Sequence, residues 1–374
     1  MSDYFEKIEG QKRVKSILSR FNSESKIPHA LLFAGNEGVG KEKLAIGFAK
    51  LVSSGFFDDR DKERVQNLIS NLSEPYIKYI IPLPRGKNET DSDSPTDKLS
   101  NDEIELIRAQ LQYKSNNLYH RITLPRANTI KINSIREIKK FVSLDYSDIS
   151  YRFIIITSAH LMNEPAQNAL LKNLEEPPPG VIFILVTPFP GRLRETIRSR
   201  CWNINFDPLS IDEIANILIS DFEVDKDTAM TVAPFSEGSI SIALKLTEMN
   251  INSISEKTIS ILRYSFGRKF HSAFEEFSEL LKVREPENIH LIVRMIITWL
   301  NDLQKYKLNI DHYFFKNHKE TLEKFNTKFP DVELNEIVLK LDRLSSYIKN
   351  NVNINLLAAN IIFELSTLPS KNSE

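Results

Sequence analysis

Up to residue 208, short apolar runs alternate with stretches whose apolar positions recur every three to four residues, the pattern of a parallel α/β layer. Ala30-Leu31-Leu32-Phe33-Ala34, Phe153-Ile154-Ile155-Ile156 and Val181-Ile182-Phe183-Ile184-Leu185-Val186 lack polar alternation, so they predict strands buried on both faces. Ile132, Ile135, Ile138 and Phe141 predict a helix. Asn163 predicts the cap of a second, with Met162, Ala166, Leu170 and Leu174 along one face and Pro177, Pro178 and Pro179 as its stop.

After Phe206-Asp207-Pro208-Leu209 the period becomes helical throughout, and no further strand is expected. The boundaries read as an α/β domain over 1–208, a small helical domain over 209–250 with Gly238 as a break, and a larger helical domain over 251–374. In the last, Leu291, Ile292, Met295, Ile296 and Leu300 form one apolar stripe, and Leu356, Leu357, Ile361, Ile362 and Leu365 another; both are expected as core, with part of them free to face other subunits. Residues 85–101, RGKNETDSDSPTDKLSN, are nearly devoid of large apolar side chains and read as a mobile polar insertion.

Composition narrows the function classes. Forty-nine basic against 50 acidic residues leave a net charge of −1, so the whole-chain field cannot drive tight binding to nucleic acid or an anionic membrane. A single cysteine, Cys201, excludes an intramolecular disulfide and a cysteine-rich zinc site. With no signal-like N-terminus and no apolar run near the ~20 residues that span a bilayer, a cytoplasmic protein without membrane partners is expected.

The candidate chemistry begins at Gly35-Asn36-Glu37-Gly38-Val39-Gly40-Lys41, between a predicted strand and a predicted helix. Glycines there let backbone N–H groups converge on phosphate oxygens, and Lys41 can reach the terminal phosphates. Position 42, where a hydroxyl would meet magnesium, carries Glu42, whose charge opposes a polyphosphate. Two readings stay open on the residues alone: a weakened nucleotide site, or a turn that keeps the loop's shape without nucleotide. Hydrolysis would also need carboxylates at the end of a neighbouring strand. The strand over 153–156 instead ends in Thr157-Ser158-Ala159-His160, so hydrolysis is not expected, and His160 reads as a hydrogen-bonding residue.

The block from Tyr151 to Cys201 contains N-A-L-L-K-N-L-E-E-P-P, a strand ending in Thr187, and T-I-R-S-R-C. It resembles the AAA+ subunits of bacterial clamp loaders, as do Ile8-Glu9-Gly10-Gln11, His29-Ala30-Leu31-Leu32 and the terminal Asn353-Ile354-Asn355-Leu356-Leu357-Ala358. The resemblance implies an AAA+ P-loop α/β domain, a helical lid and a C-terminal helical collar. It further implies a degenerate nucleotide site at Gly35, Gly38, Gly40, Lys41, Glu42 and Thr187, and a degenerate metal-and-water motif at Thr157, Ser158 and His160. ATP or ADP bound without hydrolysis is the only cofactor it admits, and the four-cysteine zinc module of the family's ATPases is missing. Ser241, in Gly238-Ser239-Ile240-Ser241, stands where those ATPases carry a lid arginine. These departures favour the non-hydrolysing delta prime branch; a divergent gamma/tau-like ATPase is the alternative. Arg200 is then the residue that reaches the ATP site of an adjacent subunit. Gamma/tau-type and delta subunits are the implied partners, with the sliding clamp and primed DNA met through the assembly of a DNA polymerase holoenzyme.

Overall fold

The computed structural model describes residues 4–5, 8–54, 59–143, 149–281, 286–311, 313–315, 318–346 and 353–368. The chain divides into two compact units, one of 1–223 with 236–244, the other of 224–235 with 245–374.

The first unit is built on five parallel strands, β1 (Ala30–Ala34), β2 (Ile77–Ile80), β3 (Arg152–Ile156), β4 (Val181–Thr187) and β5 (Trp202–Asn205), in the order β2-β3-β4-β1-β5. Side chains alternate across the sheet with period two. Leu31, Phe33, Phe153, Ile155, Ile182 and Ile184 face a core shared with α1 (Lys12–Ser23), α2 (Lys41–Ser53) and α3 (Asp59–Ser70). Leu32, Ile154, Ile156, Phe183 and Leu185 face the opposite core. That core is covered by α5 (Ile132–Ser143), α6 (Glu164–Glu175) and the short α7 (Glu195–Arg198); α4 (Asn101–Asn116) lies in the β2–β3 connection. Burial on both faces is why the three central strands read as unbroken apolar runs. The edge strands β2 and β5 escape that signal: IKYI and WNIN are half polar, and Trp202 is 56% exposed.

Local signals place the helix ends. Asn163 Oδ1 accepts the Ala166 N–H at 2.9 Å, capping α6 as expected, and the helix stops at Glu175 ahead of the prolines. Ser100 with Glu103 forms a capping box on α4, as Ser210 with Glu213 does on α8 (Ile211–Phe222).

The 85–101 segment has no helix or strand before α4 begins, yet it is pinned rather than loose. Glu89 accepts from Lys131 Nζ at 2.6 Å, Asn133 Nδ2 at 2.7 Å and the Gly86 N–H at 2.7 Å, with its side chain 2% exposed. Leu99 packs with Ile81 and Ile107 in a small cluster of its own. One buried carboxylate thus anchors a segment whose composition alone reads as mobile.

The stretch 209–250, expected as a separate helical domain, is divided between the two units: α8 and residues 236–244 go with the sheet, and α9 (Lys226–Val232) with the second unit. α10 (Ile240–Thr247) crosses the division. The second unit contains α11 (Ile251–Phe266), α12 (Phe270–Leu280), α13 (Pro286–Lys307), α14 (Lys319–Lys328), α15 (Asn335–Ser346) and α16 (Ile354–Thr367). α11 packs against α12, α13 and α16, and α13 also against α14 and α15. Phe266, Trp299 and Phe325 meet there with ring centroids 4.4 to 5.7 Å apart. The α13 stripe is buried as expected. On α16, Leu357, Ile361, Ile362 and Leu365 are buried, but Leu356 is 59% exposed: it falls on the far side of the helix from Leu357 and Ile361 and does not join the core. No described helix is long and apolar enough to cross a membrane.

Candidate functional site

The phosphate-loop segment follows β1 directly. Gly38 and Gly40 take φ of 75° and 87°, and Gly35 has φ of 152°, so the glycines serve a left-handed path that other residues resist. Gly40 ends the loop as the N-cap of α2. The Gly35 N–H donates to Thr187 O at 3.3 Å, which ties the loop to the end of β4.

The loop's own lysine is turned inward. Lys41 Nζ donates to Gly35 O at 2.7 Å and to Asn36 O, and burial pushes its ammonium down to about 8. Segment 239–241 is laid against the loop: the Ile240 N–H donates to Gly38 O at 3.0 Å, and a Cβ on Gly38 would meet Ser241 N at 2.8 Å. Tyr119 closes the other side, its hydroxyl facing Gly40 and Lys43 lying over its ring at 5.1 Å. That hydroxyl is buried without a hydrogen-bond partner among the described residues. Burial is also the main cause that raises its pKa, with Asp221, Glu9 and Glu213 adding to it. Tyr119→Phe is therefore expected to raise stability by about 1 kcal/mol, read as a higher denaturant midpoint; a loss of similar size would show that the hydroxyl is satisfied in solution.

Glu42 lies in an ion pair with Lys114 and accepts from Tyr79 Oη at 3.0 Å. Tyr79, in β2, thus joins the Glu42–Lys114 pair through its hydroxyl. Thr157 is buried and Ser158 occupies the left-handed region with φ of 47°, neither offering a carboxylate. Among the described residues no group of three His, Cys, Asp or Glu could hold a metal. A magnesium nucleotide does not fit this set of residues: the carboxylate of Glu42 is spent on an ammonium, and the loop lysine on carbonyls.

His160 Nδ1 lies 3.1 Å from Thr187 Oγ1, which also accepts the Phe189 N–H at 3.0 Å. The Thr187 hydroxyl, accepting from Phe189, has its proton left for Nδ1, which suits a neutral imidazole. Burial, with Arg192 next, lowers the pKa of His160 in agreement. The pair is a hydrogen-bonded brace at the end of β4.

Arg200 is not among these groups. It follows α7 and precedes β5, whose first residue Trp202 pairs with Leu31 near the start of β1. The strands are parallel, so Arg200 stands at the amino-terminal edge of the sheet, and the phosphate loop at the carboxyl edge, roughly 10 Å or more away along strands rising ~3.3 Å per residue. Its side chain is 37% exposed, and its guanidinium is bonded to Glu175 Oε1 at 2.8 Å and Thr196 O at 2.9 Å. Two of its five N–H donors are used, and the fork still presents donors to solvent. Cys201 beside it is buried, its thiol pushed up to about 12, and is inert.

Residue patterns missed Lys114, Tyr119 and Tyr79. A signal for the first exists: Ile104, Ile107, Leu111 and Lys114 follow helical spacing, which puts the lysine on the apolar stripe of α4. Tyr79 sits in the unrecognised strand β2, and Tyr119 in a loop without pattern.

Both parts of the chain match known proteins. The family model "DNA polymerase III, delta subunit" matches residues 10–210, and "DNA polymerase III, delta subunit, C terminal" matches 263–367. The gamma subunit of Buchnera aphidicola subsp. Acyrthosiphon pisum is 31% identical over 67% of this chain and 59% of its own length. The tau subunit of Bacillus subtilis is 26% identical over 81% and 50%, and the delta prime subunit of Haemophilus influenzae 27% over 69% and 78%. Against the tau and gamma relatives the chain thus spans only about half to three-fifths of their length. With a five-stranded parallel sheet followed by a helical region and family matches in both parts, the chain belongs to the DNA polymerase III delta subunit family.

Proposed function

We propose that this chain is a delta prime-like member of a clamp-loader ring, which does not hydrolyse ATP itself and supplies Arg200 to the ATP site of a neighbouring gamma/tau-type subunit. The observation that carries the reading is the position of Arg200, exposed at the sheet edge opposite the chain's own phosphate loop. An arginine there cannot serve its own loop, so a phosphate it meets belongs to another molecule. Its planar, permanently charged fork suits the charge that spreads over a transferring phosphoryl group.

The helical region 251–374 would form the collar through which the ring closes, and 209–250 the lid. A delta subunit would be a further neighbour. Sliding clamp and primed DNA would be met through the assembly, in the cytoplasm.

The alternative, a divergent gamma/tau-like ATPase, draws support from the three loop glycines and Lys41. Against it stand the Glu42–Lys114 ion pair, the inward Lys41 and the missing carboxylates at 157 and 158. The discriminating experiment is ATP hydrolysis by the purified chain: turnover abolished by Lys41→Ala would establish the alternative, and no turnover supports the proposal.

A further inference from the structure

Lys114 is 4% exposed, yet all three of its ammonium donors are matched: Leu118 O at 2.7 Å, His120 O at 2.7 Å and the Glu42 carboxylate. An ammonium is seldom taken out of water so fully without a reason in the site it enters. Its place relative to the loop supplies one. In nucleotide-loaded phosphate loops a metal ion lies between the hydroxyl at the start of the first helix and a carboxylate at the end of a neighbouring strand. In this chain those two positions are Glu42 and Thr157, and the ammonium of Lys114 is bound to the first of them, which also accepts from Tyr79. The anion has moved from the strand end to the helix start, and the cation is delivered by α4 of the β2–β3 connection.

We infer that Lys114 is a built-in cation in the electrostatic role of the metal. The Glu42–Lys114 pair, rather than any loss of loop shape, keeps a magnesium nucleotide out and holds the connection over the loop. The inference deepens the non-hydrolysing reading of the same site and rests on it. The same contact positions Tyr119, five residues on, against Gly40.

The test uses the full chain and a fluorescent ADP analogue titrated with Mg²⁺ or with EDTA. Wild type, Glu42→Thr, Lys114→Met and the double variant Glu42→Thr/Lys114→Met are compared. Wild type should show no Mg²⁺-dependent binding. The double variant should bind at least tenfold more tightly with Mg²⁺ than with EDTA. Mg²⁺-dependent binding by wild type, or a double variant that binds no better than wild type, overturns the inference. Lys114→Met alone leaves Glu42 uncompensated and can fail to fold, so thermal midpoints give an independent readout. The double variant should melt higher than Lys114→Met, and an equal or lower midpoint counts against the pairing. ATP turnover by the wild-type chain would instead overturn the non-hydrolysing reading itself, which keeps the two failures apart.

Discussion

Replacing Arg200 with alanine lowers the ATPase rate of a reconstituted loader, stimulated by clamp and primed DNA, by roughly a hundredfold or more while assembly stays intact. The magnitude follows from what an arginine supplied to a neighbouring phosphoryl-transfer site contributes, several kcal/mol of transition-state charge stabilisation. Assembly is expected to survive because Arg200 is half-exposed and its bonds are to Glu175 at the end of α6 and to Thr196 in its own turn. Arg200→Lys should recover little, since an ammonium does not reproduce the fork. Analytical size-exclusion of the mutant loader, run beside the kinetics, separates a catalytic loss from a missing subunit.

Lys131→Met should be strongly destabilising. It removes the donor from Pro84 O and Pro95 O and leaves the buried Glu89 carboxylate with Asn133 and the Gly86 N–H as its remaining donors. Removing one partner of such a pair costs on the order of 3 kcal/mol at neutral pH. The sign with pH follows from Glu89. Burial alone would raise its pKa, but hydrogen bonds from Lys131, the Gly86 N–H and Asn133 outweigh it, and the folded value lies below the usual 4.5. The stabilisation in the wild type is therefore complete above that ordinary value and is lost as pH falls through the lower folded one. In the variant the pull of Lys131 is gone and protonation relieves the stranded charge. The gap between the two proteins, measured by denaturant unfolding, should be widest at pH 7 and shrink toward pH 4. A gap that widens in acid would show that Glu89 is not held as the carboxylate.

How much of this could be read from the chain varies by element. The strands containing Phe33, Ile155 and Phe183 were legible because both their faces are buried, which erases polar alternation. β5 was not, because Trp202, Asn203 and Asn205 lie on an edge and look like loop. Asn163 and the prolines after Glu176 fixed the ends of α6 through chemistry confined to a few residues. The anchoring of 85–101 depends instead on Glu89 meeting Lys131, 42 residues away, which no local pattern encodes. At the site, the glycines, Lys41, Glu42 and Thr157 were visible as a damaged motif. What fills the damage, Lys114 and Tyr79, comes from elements whose relation to the loop exists only after the sheet has formed. Leu356 shows the converse: five apolar residues at helical spacing span more of the helix than this chain's own core covers.

The most direct measurement of the central claim is the stimulated ATPase rate of the reconstituted loader with only this chain altered, Lys41→Ala against Arg200→Ala. Disabling the chain's own loop is expected to leave the rate unchanged, and removing Arg200 to collapse it. A collapse with Lys41→Ala and an unchanged rate with Arg200→Ala would mean that the chain works at its own ATP site and lends nothing to its neighbour.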